Sequence, residues 1–164
     1  MAHESSHYSP VELPNGKVLK TTMVHKSWLD SDVIINVPIL KHHGGARMTA
    51  AMKNLMGVVF DRRFYHSNGL HQCIADFTTI SRKPTLNIID AYNVMMRNGP
   101  RGVSVSDLVN RKMLLLSTDM VAIDAAASRL LEVDQSEIAY IGLAAAHGTG
   151  INTLDKLRIE RLTM

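Results

Sequence analysis

Lysine, histidine and asparagine side chains are concentrated in one short stretch of this chain, where an apolar segment ends. Lys41, His42 and His43 follow the apolar segment directly, two glycines come next, and Lys53 and Asn54 lie shortly after them. In open α/β proteins, polar groups placed after a strand and ahead of a helix commonly bind a ligand. The two lysines favour a carboxylate or a phosphate. The stretch therefore predicts a site for a small anionic molecule.

Roles within this site follow from the chemistry of the side chains. A histidine with a pKa near about 6.5 can exchange protons at neutral pH, and burial can lower the pKa of a lysine until it acts as a base. The predicted catalytic residues are His43, Lys53 and Asp90. The predicted substrate-binding residues are Lys41, Asn54, His66 and Arg101. A loop histidine bonded to a carbonyl and a solvated helix face for Lys53 are the alternatives.

Three predicted strands end in polar groups. The first ends at Lys41, the second at Asp90, and the third just before Asp119. If these strands are parallel, their carboxyl ends lie on one edge of the sheet and the polar groups converge there. This convergence is the main argument for a site, and it depends on the direction of the strands.

A metal site has only a weak signal in the sequence. His66 and His71 are five residues apart rather than four, so one helix face does not align them as ligands. Metal ligands would have to come from distant segments, and the candidates are His43, Asp119 and Asp124. Asp124 lies in the apolar segment MVAIDAAASRLL, so a structural bond to a lysine or a backbone amide near the site is its alternative role. The cofactor is unknown, and a divalent metal stays open.

Composition and motifs exclude several classes of protein. The single cysteine, Cys73, rules out an internal disulfide and disfavours an iron–sulfur cluster held by this chain alone. The formal net charge of +3 comes without a basic stripe, so we predict no nucleic-acid partner. Because the chain has no apolar run of about 18 residues and no signal peptide, we expect no membrane partner and a cytoplasmic location. The P-loop, GxGxxG and GxSxG motifs are also absent.

Segments with strand and helix patterns alternate along the chain. Apolar runs predict strands over 33–40, 85–92 and 112–117, and further strands over 17–25 and 156–162. Helices are predicted over 48–56, 69–81 and 120–133 and again up to His147, and residues 58–68 are predicted to form a loop. The first strand is apolar on both faces, as expected of a central strand covered by helices. The order predicts a layered α/β fold with a mostly parallel or mixed sheet and helices packed on it.

Several segments resemble one protein family in consistent order over residues 30–152. They are DVIINVPILKHH, TAAMKNLMG, GLHQCIADF, LNIIDAYNVM, NGPRG, STDMVAIDAAASRLL and AHGTG, together with His66. As a set they resemble the second half of the prokaryotic family known as domain of unknown function 362. The resemblance implies an α/β fold and an association with iron–sulfur proteins, because members often carry fused ferredoxin-like modules. The positions that it carries over are Lys41, His43, Lys53, Asn54, Gly57, His66, Asp76, Asp90, Gly99, Pro100, Gly102, Asp119 and Asp124.

The domain organisation follows from the same observations. We expect residues 1–164 to form a single α/β domain, with a polar extension over 1–16 and the family-like core over 30–152. Because the resemblance covers one half of the family, we expect the chain to be a fragment of a larger domain or a truncated paralogue. An open sheet edge in such a chain favours a homodimer.

Two main functions remain open at this point. The first is an enzyme, or half of one, that acts on a small anionic substrate in a redox or isomerase reaction linked to a metal or an iron–sulfur cluster. The second is a binding or assembly module without turnover that partners a ferredoxin-like or other electron-transfer protein. A stable relic with an incomplete site is a third. Convergence of the predicted site residues on one cavity would favour the enzyme, and their scatter would favour the module.

Overall fold

The computed structural model of the chain describes residues 4–163 and has helices packed against a five-stranded β-sheet, beside a separate two-stranded hairpin. This architecture confirms the predicted α/β class. Residues 1–3 of the predicted extension, and residue 164, lie outside the described residues. The strands are β1 (Tyr8–Glu12), β2 (Thr21–His25), β3 (Ile35–Asn36), β4 (Ile39–His43), β5 (Arg47–Thr49), β6 (Leu86–Met95) and β7 (Leu108–Ser117). The α-helices are α1 (Lys26–Asp30), α2 (Ala51–Asn54), α3 (Arg62–Ser67), α4 (Leu70–Phe77), α5 (Met120–Leu130) and α6 (Ala139–Ala146).

β6 is the central strand of the five-stranded sheet. β3 and β4 pair in parallel with the same edge of β6 and form two parts of one strand line. The line is broken next to Pro38, which has no backbone N–H to donate. It continues to His43 and does not end at Lys41 as predicted, and β5 then pairs antiparallel with β4.

β7 pairs with the other edge of β6 and runs antiparallel to it, with Ser117 opposite Asn87. The expected meeting of three strand ends on one edge is therefore wrong for the third strand. Asp119 follows β7 at the end of the sheet where β6 begins, whereas the polar group of β4 lies towards the end of β6. Asp90 lies within β6 rather than after it, because this strand continues to Met95.

The helices cover one face of the five-stranded sheet and leave the other face uncovered. α5 packs on β6 and β7, and α2 packs on β5 and β6. On the covered face, Leu40 and Ile89 are fully buried. On the uncovered face, Ile35, Val37 and Ile39 are 55%, 59% and 55% exposed. The prediction that this strand line is covered on both faces is wrong, because a continuous apolar run does not reveal which of its faces is packed.

Other segments also differ from their predicted structure. The predicted extension contains β1, which pairs with β2. The predicted loop over 58–68 contains α3, whose first turn is capped by the Asp61 carboxylate. The predicted helix over 48–56 begins only at Ala51, because Met48 belongs to β5, and residues 156–162 form no strand. Among residues 4–163, the helices are all too short or too polar to cross a bilayer.

Candidate functional site

The hairpin of β4 and β5 carries the first group of predicted site residues. Lys41 pairs with Thr49, and His43 pairs with Arg47 across the hairpin. The turn between the two strands contains two glycines and is exposed, while residues 41–43 are partly buried. Because side chains alternate along a strand, Lys41 and His43 lie on one face of β4 and His42 lies on the other.

The imidazole ring of His43 is held by its own hairpin turn. Its Nδ1 atom accepts hydrogen bonds from the backbone N–H of Gly45 at 3.2 Å and from that of Ala46 at 3.1 Å. A neutral imidazole that accepts at Nδ1 carries its proton on Nε2. The ring therefore presents an N–H donor to its surroundings and has no free nitrogen lone pair while it stays neutral.

Positive charge accumulates around this ring. Burial, together with the charges of Lys53, His66, His42 and Lys41, lowers the pKa of His43 to about 4. The imidazole is consequently neutral at pH 7, even though the groups around it are basic. The charges that act on this ring come from α2 (Lys53), from α3 (His66) and from the hairpin itself.

The ammonium group of Lys53 shares this environment. Burial lowers its pKa, and the charges of Lys41 and Arg62 lower it further. Every charge that shifts the pKa of Lys53 or His43 is positive. None of the ion pairs formed within residues 4–163 includes the side chains of Lys41, His43, Lys53, Arg62 or His66. We call them the basic cluster: Lys41, His43, Lys53, Arg62 and His66.

A buried carboxylate positions the helix that carries Lys53. The oxygens of Asp124 accept hydrogen bonds from the backbone N–H of Ala51 at 2.6 Å and from that of Met52 at 3.1 Å, at the start of α2. This confirms the expected bond from Asp124 to a backbone amide near the site. Burial raises the pKa of this carboxyl group to about 7, although both hydrogen bonds act in the opposite direction.

Asn54, at the other end of α2, ties the helix to the sheet. Its Nδ2 donates to Oδ1 of Asn36 at 2.8 Å, and Asn36 donates in turn to Oδ1 of Asn87 at 2.9 Å and to the carbonyl of Ala51 at 3.0 Å. These amides join α2, β3 and β6 through a hydrogen-bonded chain. Asn54 therefore has a structural partner, and the ligand-binding role predicted for it stays a prediction.

The loop that carries Arg101 docks against β4. The backbone N–H of Gly99 donates to Nδ1 of His42 at 3.1 Å. A Cβ atom at position 99 would lie 1.9 Å from the carbonyl oxygen of His42, so the backbones can approach this closely only at a glycine. Arg101 itself is exposed on this loop. The docking brings the loop next to the strand of the basic cluster.

The other predicted carboxylates are engaged elsewhere. Asp90 lies on the uncovered face of the sheet, where its Oδ1 accepts from the backbone N–H of Tyr92 at 2.9 Å. Asp119 caps α5 by accepting from the first two amides that follow Met120, at 2.8 and 2.9 Å, and it also accepts from Ile151 at 2.8 Å. Neither contributes to the pKa shifts of the basic cluster.

The three metal candidates, His43, Asp119 and Asp124, are not part of a common group of ligands. Within the described range 4–163, no group of three or more His, Cys, Asp or Glu side chains is arranged to hold a metal ion. Metal binding by His43, Asp119 or Asp124 thus stays a prediction from the sequence.

Two residues near the site, Arg62 and Thr49, were not among the predicted site residues. Arg62 joins the basic cluster from α3, which was predicted as a loop, and it lines an open depression of about 690 Å³. Thr49, opposite Lys41, is 8% exposed, and its Oγ1 has no hydrogen-bond partner within the described part of the chain. Asp61, a residue type that commonly caps helices, was the available signal for α3. Thr49 had no comparable signal.

Residues 1–129 of the chain match DUF362, a domain of unknown function. The chain belongs to the DUF362 family. The match confirms the family resemblance over residues 30–129 and extends it to the first residues of the chain, and residues 130–152 of the predicted resemblance lie beyond it. The chain is also 29% identical over 135 residues to a thylakoid-associated protein of Synechocystis sp., in a match that covers 77% of this chain but only 40% of that relative. No solved structure matches the chain.

Proposed function

We propose that this DUF362 chain binds a small anion, a carboxylate or a phosphate, at the basic cluster. The observation that carries the proposal is the environment of Lys53, a partly buried lysine on which the positive charges of Lys41 and Arg62 act. None of these three side chains forms an ion pair within residues 4–163. Such an arrangement costs free energy in the absence of a ligand. A bound anion would offset that cost, because it pairs with several of these groups at once.

Within this proposal His43 is a hydrogen-bond donor to the anion. The backbone bonds from Gly45 and Ala46 occupy Nδ1 and leave the proton on Nε2. A neutral imidazole N–H can bind an oxygen of the ligand or stabilise negative charge that develops on it. Proton abstraction by the same ring would first require the Nδ1 bonds to break, so donation is the role that this geometry supports best.

Isothermal titration calorimetry with inorganic phosphate and with malonate, at pH 7, tests the proposal. Wild-type protein should bind at least one of the two anions, and their relative affinities distinguish phosphate from dicarboxylate recognition. Lys53→Met should weaken binding at least about tenfold, because a charge-assisted hydrogen bond is lost. Lys83→Met is the matched control, since Lys83 is an exposed lysine outside the basic cluster.

The control and the wild-type protein decide the outcome. Binding that is unchanged in the Lys83 variant and weakened in the Lys53 variant supports the site. If neither anion binds to the wild-type protein at millimolar concentrations, or if both variants lose affinity equally, the proposal is wrong.

Two substitutions at His43 test its role as a donor. His43→Gln keeps an N–H close to the position of Nε2 and should stay within a few-fold of wild-type affinity, whereas His43→Ala should lose about tenfold. Wild-type affinity in both variants would mean that the ring does not contact the anion, and an equal loss in both would contradict its role as an N–H donor.

A binding or assembly role without turnover is a second candidate function. The observation that favours it is the uncovered apolar face of the five-stranded sheet. The side chains of this surface are not those of the basic cluster, so the two functions are compatible in one chain.

A further inference from the structure

The uncovered side of the five-stranded sheet carries aliphatic side chains from all three strand lines at its centre. The register places Ile39, Asp90 and Leu114 in one row, and Ile88 and Leu116 in the adjacent row. Directly paired residues share a face of the sheet. We call this surface the open face: Val33, Ile35, Val37, Ile39, Leu86, Ile88, Leu114 and Leu116.

The open face is larger than ordinary exposed apolar patches. On its two flanking strand lines, Val33, Leu114 and Leu116 are 62%, 59% and 63% exposed. Ile35, Val37 and Ile39, on the same line as Val33, are exposed to a similar degree. Together these side chains expose on the order of 700 Å², whereas the largest patch on a typical monomer is about 300–600 Å². Each partner in a standard interface buries roughly 800 Å². The open face is therefore of the size that one half of a stable dimer needs.

The chemistry of the open face indicates what kind of partner could cover it. Asp90 is the charged residue in these two rows, and the next residue on the same face of β4, beyond Ile39, is Lys41. A partner rich in charge would find almost nothing to pair with and would lose its own hydration. A second copy presents the same uncharged aliphatic surface, and a two-fold axis makes such a surface complementary to itself.

We propose that the open face is the interface of a homodimer, in which the two sheets pack face to face. Sheets that pack in this way lie about 10 Å apart, with strand directions within about 30° of each other. In this arrangement the central residues Val37, Ile88 and Leu116 are buried, while the carboxylate of Asp90 stays at the rim. The contact is made by aliphatic side chains that do not belong to the basic cluster, so the dimer proposal does not rest on anion binding.

Sedimentation velocity over about 1–100 µM protein tests the dimer in this concentration range. Wild-type protein should sediment as a dimer. Val37→Lys and Leu116→Lys each place a charge at the centre of the contact, on different strand lines, and should raise the dissociation constant at least about tenfold. Val103→Lys is the matched control, because Val103 is 84% exposed and lies on the loop rather than on the open face.

Folding and ligand binding are measured on the same samples. Both sheet-face variants should keep the wild-type circular dichroism spectrum, because their side chains are exposed within one copy, and their phosphate affinity should equal that of the wild type. A wild-type protein that stays monomeric overturns the proposal and leaves the open face to a different polypeptide. Dimers that persist in both lysine variants, or larger polydisperse species, overturn it as well.

Discussion

Two segments flank the strand that carries His43, and each is fixed by one buried carboxylate. On one side Asp124 accepts two backbone N–H bonds at the start of α2. On the other side Asp107 accepts two backbone N–H bonds from Val103 and Ser104, at 2.7 and 3.1 Å, and so fixes the loop over 97–107. The two carboxylates have the same structural task, yet their pKa values are shifted in opposite directions.

The difference lies in the number of donors that accompany burial. The N–H groups of Val103 and Ser104, with the side chains of Arg97 and Asn98, lower the pKa of Asp107 to about 2. Asp124 has only its two amide donors, so burial prevails and raises its pKa to about 7. The loop is therefore held by a permanent anion, whereas the helix that carries Lys53 is held by a group whose charge changes near neutral pH.

Asp124→Ala should give the largest effect of the substitutions considered for this comparison. It leaves two buried N–H groups without an acceptor, so we expect a loss of about 3 kcal/mol in the free energy of unfolding, measured by urea denaturation. Ser128→Ala, on the same helix, removes a buried hydroxyl that donates to Ala125 and is the control, with a loss of about 1 kcal/mol. Equal losses in the two variants would mean that Asp124 does not hold α2.

Asp124→Asn tests whether the contribution of Asp124 to stability depends on pH, in contrast to that of Asp107. Because the folded-state pKa of Asp124 is raised to about 7, its contribution to stability is complete below its ordinary pKa of 3.8 and is lost as the pH rises through 7. The stability difference between wild type and Asp124→Asn should therefore favour the wild type more at pH 5 than at pH 8. Urea denaturation at both pH values measures it, and a difference independent of pH would contradict the shift.

Asp107→Asn should behave differently at neutral pH. Its lowered pKa means that its contribution is present above pH 3.8 and is lost only as the pH falls towards 2. The variant should show a constant stability deficit between pH 5 and pH 8. Hydrogen exchange should accelerate over residues 97–107 but not in β6, and acceleration throughout the sheet would show that the carboxylate supports more than the loop.

The smallest expected effect is spectroscopic and concerns the imidazole ring of His43, on the strand between α2 and the loop over 97–107. Nitrogen-15 NMR of the unliganded protein should find the His43 proton on Nε2 at pH 7 and the ring still neutral near pH 5.5, because its pKa is lowered to about 4. Asp107→Asn should leave this pattern unchanged. A proton on Nδ1 would remove the donor role of His43 without removing the anion site.

The basic cluster was partly predictable because residue type and chain position agreed. Two glycines mark a turn in any fold, so Lys41 and His43, which precede them, could be proposed as site residues without knowing the strand directions. Lys53 was proposed because the next predicted helix follows this turn. The roles of Asp90 and Asp119 depended on parallel strands. The connection between β6 and β7 contains the NGPRG turn and no crossover helix, and such a connection requires an antiparallel pair. That signal was available in the sequence.

Other features could not be read from a pattern. A run such as Val33–Leu40 has the same appearance whether helices cover one of its faces or both. α3 has only six residues, which is too few for helical periodicity to emerge, so Arg62 could not be placed. Helix α4 was predictable because Leu70, Ile74 and Phe77 repeat at helical spacing and bury one stripe.

The missing side chain at Gly99 has a practical consequence. The backbones of the loop and of β4 are in direct contact at Gly99, so a movement of the strand should also move the loop. A label attached to the outer part of the loop would therefore report movements of β4. Val103 is the natural attachment point, since its side chain is largely in solvent. If the chain binds an anion as proposed, a fluorophore at that position should change its emission when phosphate is added, because Val103 is not part of the basic cluster.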